Sequence, residues 1–103
     1  MHKQFDTLQI SKIIDQALVY QCACPAQVCR TIFELRDLHD YQMTCLSDPQ
    51  TDDMVHTTIA EAAEKTHAMM EECLTEVLKL EGWDLGTLTM PAALRKKPLK
   101  TPM

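Results

Sequence analysis

CLSDPQTDDMVH, residues 45–56, interrupts what would otherwise read as one helical pattern running from Pro25 to Leu80. Pro49 lacks a backbone N–H and disfavours helical geometry in the residue before it, so a helix arriving from the N-terminal side ends near Ser47-Asp48. Asp52 and Asp53 then set two carboxylates in the first turn of a new helix, where the helix dipole favours anions. The connection is short, so the flanking helices are expected to fold back on each other as a long antiparallel hairpin.

Outward from this turn, helix breakers are sparse. The only glycines are Gly82 and Gly86, and the prolines stand at 25, 49, 91, 98 and 102. Three uninterrupted segments remain, roughly 6–21, 25–46 and 51–81, each with apolar residues at 3.6-residue spacing. Pro25 suits a first helical position, which makes Cys24 the expected N-cap, and Gly82 suits a C-terminal stop. The fold class is therefore all-α: a three-helix chain with a helical hairpin, expected to assemble into a dimeric helical bundle. Residues 1–86 read as a single helical domain and 87–103 as an extended or disordered basic tail. Trp83 and Leu85, just past the helix stop, are expected to fold back over the bundle end.

The third segment would be about 45 Å long against about 24 Å for the first, so part of it needs cover from elsewhere. Val55, Ile59, Ala62, Thr66, Met69, Cys73, Val77 and Leu80 share one seam, expected to face the chain's own core. Ala60, Ala63, Met70, Leu74 and Leu78 form a second stripe, expected to meet another subunit. In the second segment Val28, Ile32, Leu35, His39, Met43 and Leu46 make the main seam, with Leu38, Tyr41 and Cys45 beside it. These paired stripes point to a homo-oligomer or another protein partner.

At 103 residues the chain is one domain at most. Positions 1–94 hold 15 acidic and six basic side chains, a net of −9, while Arg95, Lys96, Lys97 and Lys100 crowd the end. That balance argues against a nucleic-acid partner. No apolar run is long enough for a membrane span, and MHKQFD is no secretory leader, so the expected location is cytoplasmic. No phosphate-binding glycine loop or nucleophile elbow occurs.

Five cysteines in such a chain are more often metal ligands, reactive thiols or core residues than disulfides. Cys22 and Cys24 are one residue apart on an irregular connection, and Cys29 follows one turn into the second segment. A hairpin turning near residues 48 and 49 sets residue 24 level with Cys73. Cys22, Cys24, Cys29 and Cys73 thus form a candidate four-thiolate site for zinc, iron, an iron–sulfur centre or copper. A thiolate at Cys24 would also gain from the helix N-terminus, which makes it the best single reactive candidate. The alternative is that Cys29 and Cys73 are small buried hydrophobes.

The same hairpin rule sets Glu34 beside Glu64 and His67, a Glu-x-x-His spacing that puts both groups on one side of a helix. Glu34-Leu35, Tyr41 and Glu64-Lys65-Thr66-His67-Ala68 resemble the pattern of the encapsulated ferritins, in the ferritin-like superfamily. In that family two short helical chains build one iron centre that oxidises ferrous ion. The resemblance implies Glu34, Glu64 and His67 as iron ligands, with Tyr41 nearby, and Leu88–Leu94 is loosely like an encapsulation peptide. Three functions follow as expectations: a cysteine-centred metal or thiol-redox protein, a ferritin-like ferroxidase across a subunit interface, and a non-enzymatic structural adaptor.

Overall fold

The computed structural model describes residues 1–18, 23–50 and 52–91. It contains three helices, α1 (Thr7–Ala17), α2 (Cys24–Leu46) and α3 (Asp53–Leu80), with α1 packed on α2 and α2 on α3. This is the all-α bundle that the scarcity of breakers predicts. Among the described residues no helix is long and apolar enough to cross a membrane.

Local chemistry fixes the helix ends. Asp6 starts α1 through a reciprocal pair of bonds: its carboxylate accepts from Gln9 N at 2.8 Å, and the Gln9 side chain accepts from Asp6 N at 2.9 Å. Asp52 caps α3 by accepting from Met54 N at 3.0 Å, with Asp53 behind it in the first turn. Gly82, at φ +79°, ends α3; its N–H donates to Lys79 and that of Trp83 to Leu78, the two bonds of a left-handed helix stop. At α2 the expectation needs correction. The cap position falls to Ala23, which has no capping side chain, and Cys24 is the first helical residue. Gln27 N donates to the Ala23 carbonyl at 3.0 Å.

The core gathers Ile10 and Ile13 of α1, Cys29 and Ile32 of α2, and Leu74 and Leu78 of α3, closed at one end by Trp83, Leu88 and Met90. Trp83 folds back as expected, whereas Leu85 is exposed. The tail expected from residue 87 behaves differently over its first residues. Asp84 accepts from the amides of Gly86 and Thr87, which hold its carboxyl below the usual range, and its own amide donates to Thr89. That turn swings Leu88 and Met90 inward, both 5% exposed. Arg95, Lys96, Lys97, Lys100 and the rest of residues 92–103 lie outside the described residues.

The two stripes of α3 are reversed relative to the expectation. Ala60, Ala63, His67, Glu71, Leu74 and Leu78 are the buried face. The more apolar seam looks outward: Val55 is 50% exposed, Met69 68% and Leu80 83%, with Ala62, Thr66 and Cys73 also exposed and Ile59 and Val77 half-buried. The reason is polar. The buried faces of α2 and α3 carry side chains that satisfy one another, so the true core stripe reads as less apolar than the surface one.

Candidate functional site

Three polar side chains of α2 enter its buried face at helical spacing, Arg36, His39 and Gln42, and each meets a partner on α3. Arg36 Nε donates to His67 Nε2 at 2.9 Å, and its Nη2 lies 3.2 Å from Glu71 Oε2. His39 Nε2 donates to Glu64 Oε2 at 3.0 Å. His56 Nδ1 donates to Gln42 Oε1 at 2.6 Å.

The Arg36–His67–Glu71 node also grips the segment ahead of α1. Glu71 Oε2 accepts from Gln4 N at 2.8 Å and from Phe5 N at 3.1 Å, while Arg36 Nη2 donates to the Phe5 carbonyl. The side chains of Arg36 and Glu71 are only 6% and 1% exposed. An ion pair this deep is costly to desolvate, and it persists because most of its donors and acceptors are used. Two polar atoms there have no hydrogen-bond partner among the described residues, Arg36 Nη1 and His67 Nδ1, although Nδ1 faces Glu71 Oε1 at 3.6 Å. Since Nε2 of His67 accepts from the guanidinium, the imidazole is neutral with its proton on Nδ1. Burial, chiefly, pushes its pKa below the usual 6.5, against the pull of Glu71.

The structure distributes the expected ligands as follows. Cys22 lies outside the described residues. Cys24 is exposed at the start of α2, and Cys73 is exposed on the outward seam of α3. Cys29 is fully buried, and desolvation pushes its thiol up to about 12 despite nearby Arg36, so it is neutral near pH 7. Of the second set, Glu34 is exposed, Glu64 is bonded to His39, and His67 is bonded to Arg36. The hydrogen bonds of Glu64 and His67 are therefore made to residues other than Glu34, and Tyr41 stands 65% exposed. Among the described residues no group of three or more His, Cys, Asp and Glu side chains is arranged to hold a metal ion.

Arg36 and Glu71 escaped the sequence reading because charged residues are expected on solvated faces. The signal was present in the spacing. Arg36 follows Ile32 by four and precedes His39 by three, and Glu71 likewise follows His67 by four and precedes Leu74 by three. No family model, no curated protein and no solved structure matches the chain.

Proposed function

We propose that this chain is a helical interaction module, a structural adaptor that presents the outer seam of α3 to a helix of another protein chain. The observation that carries this reading is the exposure of the more apolar of the two α3 stripes. From Val55 to Leu80 it makes a strip roughly 39 Å long and about 10 Å wide, some ~400 Å². That is within the ~300–600 Å² of the largest apolar patch on an ordinary monomer, a patch that is often functional. The polar ties give the strip its rigidity. They run from Arg36–His67 through His39–Glu64 to Gln42–His56, ascending α2 while descending α3, and we read the pair as an antiparallel hairpin.

Apart from half-buried Ile59 and Val77 the seam is exposed, so a charge on it is expected to leave the fold in place and remove association. The test compares wild type with Met69→Glu and Ile59→Glu by circular dichroism, denaturant unfolding and analytical ultracentrifugation. Stability within about 0.5 kcal/mol of wild type is expected for Met69→Glu, an ordinary surface change, and a larger loss with cooperative unfolding kept for Ile59→Glu at its half-buried position. Cooperative unfolding lost in both variants would show that the seam is structural and overturn the reading. So would one metal ion bound per chain in protein purified without added metal. Thiolate charge-transfer absorption lost on Cys22→Ser would then favour the cysteine-centred reading. Ferrous-dependent oxygen consumption lost on Glu64→Ala would favour the ferroxidase.

A further inference from the structure

We infer that the partner seated on the α3 seam is a second copy of this chain, with the two α3 helices crossing antiparallel about a two-fold axis near Thr66–Met69. This deepens the interaction-module reading and rests on it.

The seam residues recur at alternating steps of four and three, 55, 59, 62, 66, 69, 73, slipping by one at Val77 before Leu80. That is the a/d repeat of a two-stranded coiled coil, not the broader stripe of a helix packed into a globule. Ile59, Thr66, Cys73 and Leu80 take one set of core positions and Val55, Ala62 and Met69 the other, with Glu76 continuing the second set. The heptad's inner flank, Ala63, Met70 and Val77, faces the chain's own core or its margin. Its outer flank is Thr58, Lys65, Glu72 and Lys79, with Lys65 and Glu72 both exposed.

Charge decides the direction of the second helix. In an antiparallel pair like flanks meet, so Lys65 of each chain stands against Glu72 of the other, twice by symmetry. A parallel pair would set Lys65 beside an apolar Met70 and Glu76 against its own symmetry copy, like charges across a seam. Side-chain volume agrees. The antiparallel layers are Val55 with Leu80, Ile59 with the Glu76–Val77 step, Ala62 with Cys73 and Thr66 with Met69. A parallel pair would instead stack Ala62 on Ala62 and Met69 on Met69, alternating gap and overcrowding along the seam. A surface that is self-complementary in this way fits a second copy, and the chain's net negative charge makes the Lys65 contacts the attractive element.

The test uses the full chain in sedimentation equilibrium and oxidative cross-linking. Wild type is expected to be a reversible dimer. Lys65→Glu places four carboxylates across the two flanking contacts and is expected to weaken the dimer about tenfold, from two exposed pairs reversed at once. Adding Glu72→Lys is expected to restore it. Antiparallel seating holds the two Cys73 thiols far apart, roughly 16 Å along the axis at 1.5 Å per residue. Ala62→Cys is therefore expected to give a residue 62 to residue 73 interchain disulfide, identified by peptide mass spectrometry.

A monomer at 100-micromolar-scale concentration, a dimer indifferent to the charge swap, or a 73-to-73 link would each overturn the proposal. If Met69→Glu stays folded while wild type is monomeric, self-association alone has failed. If Met69→Glu and Ile59→Glu both unfold, the interaction-module reading has failed with it.

Discussion

Glu71→Ala would leave the Arg36 guanidinium buried without its counter-charge and would free the Gln4 and Phe5 amides. Breaking one side of a buried pair costs about 3–5 kcal/mol, a large part of the ~5–15 kcal/mol that a small domain has in total. Urea unfolding is expected to show a loss in that range for Glu71→Ala. Replacing both partners at once, Arg36→Met with Glu71→Leu, is expected to recover only part of it: no charge is then left uncompensated, but the Gln4 and Phe5 amides and His67 Nε2 stay unpaired. A loss under 1 kcal/mol for the single variant would show the pair to be energetically idle. His67 adds a pH dependence whose sign follows from its depressed pKa, with Arg36, Glu71, Lys3 and His39 the groups acting on it. The unfolded imidazole takes a proton near pH 6.5 while the folded one resists it, so its contribution is whole above that pH. It is lost as pH falls from about 6.5 through the lower folded value, where protonating Nε2 breaks the Arg36 bond. Wild type is expected to lose stability between pH 7.5 and 5.5. His67→Leu is expected to lose this component of the slope while being less stable than wild type at pH 7.5. None of this node was legible in the residue types, since Arg, His and Glu are the residues a reader assigns to water first.

At the scale of the helix, the termini were legible and the faces were not. Pro49, the Asp52-Asp53 pair and Gly82 each act through the backbone of their own turn, so their effect is readable without knowing what packs above them. Asp52→Ala removes the acceptor for Met54 N and Val55 N and is expected to cost about 1 kcal/mol. Gly82→Ala meets no close atom, the nearest being Pro91 Cγ at 3.6 Å from the added carbon. Its expected cost, ~1–2 kcal/mol, therefore comes from holding a side-chained residue at φ +79°. Thermal unfolding of the two variants checks both, and a Gly82→Ala protein as stable as wild type would mean the stop relaxes to another geometry. Which face of α3 turns inward is a property of two helices, not one. His67 and Glu71 can be buried because Arg36 of α2 opposes them. Judged on its own apolarity, the stripe from Val55 to Leu80 wins, and the four-thiolate register built on that choice carried Cys73 inward when it is exposed.

Across the whole molecule, α1 is the element with the least support of its own. Eleven residues are too few for a helix to persist alone in water. It is held from both ends of the described chain: the Arg36–Glu71 node grips Gln4 and Phe5 ahead of it, and Met90 N donates to Gln16 Oε1 near its end. Leu88 and Met90 also close the core that Ile10 and Ile13 enter. Residues 87–91 are thus part of the packed domain, although their Thr, Leu and Pro composition reads as a tail. Leu88 even holds a left-handed backbone at φ +57°, a strain that its burial offsets. Leu88→Ala is accordingly expected to cost about 2–5 kcal/mol, the range for truncating a buried leucine. The loss should be felt first at α1 and at the single tryptophan. Hydrogen exchange is expected to accelerate in residues 10–17 before the central turns of α2 and α3. Trp83 emission is expected to shift to longer wavelength as its ring loses the cover of Leu88. Were exchange to quicken evenly through all three helices, α1 would be unfolding only with the whole molecule, and its dependence on Leu88 and Met90 would be refuted.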